Sequence, residues 1–183
     1  SVRRLRSHIA QGAGLPVVYH EYGDLFAVQT GSHNPGIAKS LLPQIAKGDV
    51  LVGHSNGCAI WMRVLQMGAP AVGLVLLNAA LKDDIEFPPQ LKWVHVYFNQ
   101  YDEAVPLTNF PVLRRWLFDS LWGDMGRDGY KGKDSRVTQF DCWNRDDELP
   151  DLAGHSSILL ADNADDWGFF IGRQIAGELG SDA

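Results

Sequence analysis

Cysteine is scarce in this 183-residue chain, with only Cys58 and Cys142 present. Two cysteines cannot build a disulfide scaffold, and they lack the spacing of a zinc site. Long apolar runs are missing as well. No stretch reaches the roughly 18 residues that a membrane-spanning helix needs. Positive charge is in deficit, with 16 Lys and Arg against 22 Asp and Glu and a formal net charge of −6. Proteins that grip duplexes need clustered cations to meet phosphates, so nucleic acid is not an expected partner. The first six residues are basic and lack the apolar core of a signal peptide, which leaves a cytoplasmic setting as the default expectation. The chain begins without Met, which leaves room for a segment upstream. Oligomeric state is not legible. Internal repeats and low-complexity tracts are also absent.

What is present is a chain that is 45% hydrophobic and 21% charged. At this length one domain is the default, and about 70% of the unfolded surface can be buried without covalent staples. The apolar residues switch between two periods. Val2, Leu5 and Ile9 recur at helical spacing, which predicts a helix over 2–11 ending near Gly12. Residues 16–19 read as a short strand. A helix over 35–47 follows, with Asn34 as its cap and Pro35 in its first turn. Buried strands are predicted at 49–53, 72–77 and 93–98, and a later strand at 137–142. Residues 58–67 are apolar on nearly every face, which predicts a helix buried on most sides. Residues 107–121 read as an amphipathic helix, and a last helix follows Asn163 as its cap. Short apolar strands alternating with helices predict an α/β fold, a mostly parallel sheet with helices on both faces, as one domain over 1–183. In such sheets ligands bind beyond the carboxyl ends of the strands.

One of those ends carries a motif. Directly after the strand at 49–53 come Gly53-His54-Ser55-Asn56-Gly57, and then a helix. This is a G-x-S-x-G pattern in the strand–turn–helix setting that gives it meaning. The serine sits on a sharp turn where flanking side chains would clash, so glycine stands on both sides. The hydroxyl is then held out above the sheet, with the backbone N–H of Asn56 directed at the same space, where it can stabilise an oxyanion. Gly154-His155-Ser156 has no second glycine at the required offset, so Ser156 reads as structural.

A serine hydroxyl needs a base, and the base needs an orienting acid. Asp102 lies just past the strand at 93–98, and His155 follows the last strand after a polar loop. Asp83 and Asp84 are weaker candidates for the acid. Asp146 and Asp147 read as a solvated loop. His54 is expected to point away from the serine, and His95 to be a satisfied histidine within its strand. His8, His20 and His33 come too early for the order serine, acid, histidine. Cys58 reads as a small core residue.

Gly53-His54-Ser55-Asn56-Gly57, Asp102 in a D-x-x-V-P setting and Gly154-His155 together resemble the α/β-hydrolase superfamily, and within it small serine hydrolases with little or no cap. The resemblance runs from Asp49 to the C-terminus. It implies a triad of Ser55, Asp102 and His155, an acyl-enzyme, no cofactor or metal, and a small-molecule ester as substrate. The same machinery serves thioesterases, lactonases and peptidases. A non-catalytic ligand- or partner-binding member is the alternative from another class, and the six tryptophans give faint support to a cell-wall or lipid hydrolase.

The resemblance also exposes a departure. Such folds place a strand and an oxyanion loop before the elbow strand, and only 48 residues precede Asp49. Three readings follow: a chain that starts inside a longer protein, residues 17–19 replacing the strand with 20–24 supplying the donor, or a further strand at 25–29 with Gly31-Ser32-His33-Asn34 bordering the site. The second oxyanion donor is therefore unassigned. The connection at 82–90 is too brief for a lid, which predicts an open site. Trp116 and Trp122 read as packing, and 123–136 as a mobile solvated loop.

Overall fold

A computed structural model describes residues 5–20, 33–102, 120–143 and 149–181. Among these residues four strands form one sheet: β1 (Val50–His54), β2 (Gly73–Leu77), β3 (Trp93–Phe98) and β4 (Val137–Asp141). They lie in the order β1-β2-β3-β4, and every pairing is parallel. Among the described residues five α-helices accompany them: α1 (Arg6–Ala13), α2 (Asn34–Leu41), α3 (Asn56–Gln66), α4 (Met125–Asp128) and α5 (Ala161–Gly180). The expected α/β class is therefore observed.

Alternation along the strands sorts side chains between two apolar layers. Leu74 and Leu76 of β2 and Val94 and Val96 of β3 enter a cluster with α3 and Ala38 and Leu41 of α2. Val75, Leu77, Trp93 and Tyr97 enter another, with Leu5, Ile9 and the α5 residues Trp167, Ile171 and Ile175. Both faces of β2 are buried, which explains its unbroken apolar sequence. Helix α1 crosses α5 closely enough that a Cβ on Gly12 would lie 2.3 Å from the Phe169 carbonyl oxygen, and one on Gly172 2.5 Å from that of Ile9. Gly12 is thus a packing residue inside α1, which runs on to Ala13 with Gly14 as its cap.

Other boundaries differ for identifiable reasons. Residues 16–19 are not a strand. The Val17 carbonyl accepts from Arg6 Nε at 2.8 Å instead of from a neighbouring strand, and Val18 is exposed. The helix expected over 35–47 stops at Leu41 and tightens into a 3₁₀ turn over Leu42–Gln44, where Pro43 has no N–H to continue an α-helix. Asn34 is its first residue rather than its cap. Asn163 does not cap α5, which begins at Ala161, and its amide instead donates to the Ser157 carbonyl at 2.9 Å. The segment 123–136 is not a solvated loop. It contains α4, buries Met125 and Tyr130, and is tied by Met125 N to Leu81 O and by Gly126 N to Ala79 O, each at 2.9 Å. Its cation Arg136 turns inward to the carbonyls of Phe87, Pro88 and Leu91 at 2.7–3.0 Å. Residues 2–4, the strand expected at 25–29, most of the helix expected at 107–121 with Trp116, and Asp146 and Asp147 lie outside the described residues.

Strand β1 is an edge of the sheet among the described residues. Its carbonyl at Val52 is satisfied by Trp61 Nε1 of α3 at 3.0 Å. No helix among the described residues is long and apolar enough to cross a membrane.

Candidate active site

The turn from β1 into α3 is strained. Ser55 adopts φ 55° and ψ −124°, a backbone conformation that L-residues rarely take. Its surroundings hold it there: Ser55 N donates to Leu77 O at 3.0 Å, and its carbonyl accepts from Cys58 N at 3.1 Å and Ala80 N at 3.3 Å. Gly53 is required because a Cβ there would lie 2.9 Å from Cys58 N and 3.0 Å from the Trp61 ring. The N–H of Asn56 has no acceptor among the described residues.

Three chain segments far apart in sequence meet at this serine. Ser55 Oγ lies 2.7 Å from His155 Nε2. On the opposite side of the ring, His155 Nδ1 lies 2.9 Å from Asp102 Oδ1 and 2.8 Å from Oδ2. The carboxylate fixes the tautomer: Nδ1–H donates to it, which leaves a lone pair on Nε2 for the serine hydroxyl to donate to. Asp102 is fully buried and His155 one-fifth exposed. Asn78 Nδ2 donates to Asp102 Oδ2 at 3.2 Å, so the buried charge has a second neutral donor. Ser55, Asn56, Asp102 and His155, all singled out from the sequence, are thus gathered at the carboxyl ends of β1 and β3.

Two residues that the sequence reading missed, Asn78 and Asn99, and others to which it gave different parts hold these in place. Asn99 is buried and serves two loops at once. Its carbonyl accepts from Asp102 N at 2.9 Å, and its side chain donates to Gly154 O at 3.2 Å. His54 does not bond the serine, yet it is part of the site. Its Nε2–H donates to the His155 carbonyl at 2.9 Å, and the two rings lie 5.0 Å apart. Desolvation, reinforced by the nearby His155, pushes the His54 pKa down to about 4, so its ring is neutral near pH 7. Asn56 Oδ1 accepts from Asn34 Nδ2 at 2.7 Å and from Trp122 Nε1 at 2.9 Å, and Asn56 Nδ2 returns a bond to Asn34 Oδ1 at 3.0 Å. Asn78 and Asn99 each follow directly after the last residue of a strand, a recurrence in the sequence that could have flagged them.

The competing candidates are engaged elsewhere. Asp83 pairs with Lys131 at 2.8 Å, and Asp84 is exposed. His8 pairs with Asp165 and His95 with Glu178, both at 2.9 Å. His95 Nδ1 is buried with no hydrogen-bond partner among the described residues, so that histidine is only half satisfied there. His20 packs its ring 5.9 Å from that of Trp61, and His33 precedes α2. Cys58 is fully buried, and burial raises its thiol pKa, which makes it a poor nucleophile. Ser156 is exposed beside a 3₁₀ turn over Ser157–Leu159. The readings that relied on 17–19 as a strand have no support. Among the described residues no group of three or more His, Cys, Asp or Glu side chains could hold a metal ion.

Against known proteins, no family model and no curated sequence matches this chain.

Proposed function

We propose that the chain is a serine hydrolase, of the α/β-hydrolase kind, that cleaves carboxylic esters of small molecules through an acyl-enzyme. The observation that carries this reading is the line of contacts Ser55 Oγ–His155 Nε2–Asp102, with heavy-atom distances of 2.7–2.9 Å. In this reading Ser55 attacks the ester carbonyl as His155 Nε2 takes its proton. The resulting oxyanion lies against the Asn56 N–H. His155 then gives the proton to the departing alcohol; water attacks the acyl-enzyme as His155 takes its proton, and His155 returns that proton to Ser55 Oγ as the carboxylic acid is released. Asp102 stabilises the imidazolium without taking the proton.

The neutrality of His54 suits this cycle. A cation 5.0 Å from His155 would oppose formation of the imidazolium, whereas a neutral ring does not. The backbone strain at Ser55 supports the reading too, since a non-glycine residue at positive φ persists only where the surroundings impose it.

Hydrolysis of p-nitrophenyl acetate and butyrate tests the proposal. Activity is expected in the parent protein and is expected to be lost in Ser55→Ala. Undiminished turnover by that variant would overturn it.

A further inference from the structure

We infer that Asn34 and Trp122 are positioning residues that fix the oxyanion-binding N–H of Asn56 by clamping its side chain; the inference rests on the hydrolase reading above. Asn56 is the first residue of α3, where a helix N–H has no acceptor within the helix. That freedom makes the group available to a substrate. An oxyanion donor works only within about 2.7–3.1 Å of the developing charge, and a displacement of about 1 Å can cost on the order of a hundredfold. The carbonyl of the same peptide is held by Cys58 N at 3.1 Å and Ala80 N at 3.3 Å, and a further hold on the Asn56 side of the peptide sharpens its position.

The side chain supplies it. Asn56 and Asn34 form a reciprocal amide pair, with bonds of 2.7 and 3.0 Å, and Trp122 Nε1 donates to the same Asn56 oxygen at 2.9 Å. Asn34 belongs to α2 and Trp122 to the segment leading into α4, so the amide is gripped from two separate parts of the chain. All three residues are buried, at 0%, 2% and 7% exposure for Asn34, Asn56 and Trp122. Water cannot replace a lost partner there, so rotation of the Asn56 amide would leave buried polar atoms unpaired. Two side-chain torsions separate that amide from the backbone, and fixing its plane limits the tilt of the Ser55–Asn56 peptide. Trp122 thus has a polar task beside its packing.

A merely structural staple between α2 and α3 would alter stability alone. The test uses the full chain, with Trp122→Phe and Asn34→Ala. Trp122→Phe keeps most of the ring and removes only the N–H. Steady-state hydrolysis of p-nitrophenyl butyrate is compared with inhibition by an alkyl boronic acid, whose adduct on Ser55 carries the negative oxygen of the tetrahedral state. Expected are losses in kcat of about threefold to tenfold for Trp122→Phe and about tenfold to a hundredfold for Asn34→Ala, with boronate affinity falling in parallel. KM is expected to stay within about twofold, and the pH midpoint of kcat/KM to stay in place. Parental kcat and boronate affinity in folded Trp122→Phe would overturn the inference, and that variant decides alone if Asn34→Ala does not fold. A loss shared equally by KM and kcat would also overturn it. If the parent protein neither hydrolyses the ester nor reacts with a fluorophosphonate, the hydrolase reading fails and takes this inference with it. An active parent beside equally active variants sinks the inference alone.

Discussion

The two helix-covered faces of the sheet and its carboxyl end are built from different materials. The faces are close to uniformly apolar: Leu74, Leu76, Val94 and Val96 point one way, and Val75, Leu77, Trp93 and Tyr97 the other. The carboxyl end gathers Asn34, Asn56, Asn78, Asn99 and Asp102, all at most 2% exposed. Buried amides and a carboxylate contribute little net stability compared with hydrocarbon, and they demand partners. Their use here buys geometry. Asn34 bonds to Asn56, the neighbour of Ser55, Asn78 to Asp102, Asn99 to Asp102 and Gly154, and Asp102 to His155.

That contrast can be broken at either end. The largest effect is expected from Ser55→Ala, with kcat/KM for p-nitrophenyl butyrate down by about a thousandfold to a millionfold, or about 4–8 kcal/mol of transition-state stabilisation. The melting temperature should stay close to the parent's, because the backbone strain is unchanged and only the hydroxyl and its bond to His155 are lost. A large fall in melting temperature would mean that Ser55 belongs to the scaffold instead.

Leu74→Ala reverses the pattern. Leu74 is fully buried near the start of β2, away from the reacting groups. A loss of about 2–5 kcal/mol in urea unfolding is expected from the cavity, with kcat/KM of the folded protein within about twofold. A matching loss of catalysis would show that the faces and the carboxyl end are not separable.

Next in size is an acid effect at His54. Its pKa falls from 6.5 to about 4 on folding, so between those values the unfolded chain binds more protons. The stability tied to neutral His54 is fully present above pH 6.5 and is lost as the pH falls through about 4, at most about 3 kcal/mol. His54→Gln removes that titration, so its unfolding free energy should decline less over this window than the parent's. Parallel curves would contradict the assigned cause.

The smallest effect is expected from Asn78→Gly, where glycine accepts the φ of 45° and only the amide is lost. Loss of its bond to Asp102 should lower kcat/KM by about tenfold to thirtyfold. Unchanged kinetics would make Asn78 a turn residue only.

Much of this architecture is written locally in the sequence. Residues 93–98 form a strand at the expected bounds, and β1, β2 and β4 lie within a residue of theirs; the largely apolar runs of β1, β2 and β3 suit a buried parallel sheet, while β4 carries Thr138 and Gln139 on its more exposed stretch. The meeting of Ser55, Asp102 and His155 was legible from motif and chain order. What escaped depends on partners distant in sequence. Residues 16–19 have strand composition, yet the side chain of Arg6 takes the Val17 carbonyl. The charged stretch 123–136 looks solvated until Arg136 is seen capping three carbonyls. His54 makes no bond to the serine, in keeping with expectation, but its bond to the His155 carbonyl exists only in the folded chain. Asparagine in a turn reads as a turn former, and its role as an orienting donor appears only when Asp102 and Gly154 come within reach.

The central claim is that Ser55 is an activated nucleophile, and covalent labelling tests it most directly. Incubation with an alkyl fluorophosphonate followed by intact-mass and peptide analysis should show one phosphonyl adduct, on Ser55, formed far more slowly in His155→Ala. Absence of an adduct under conditions that label a control serine hydrolase, or equal labelling of the His155 variant, would contradict the account.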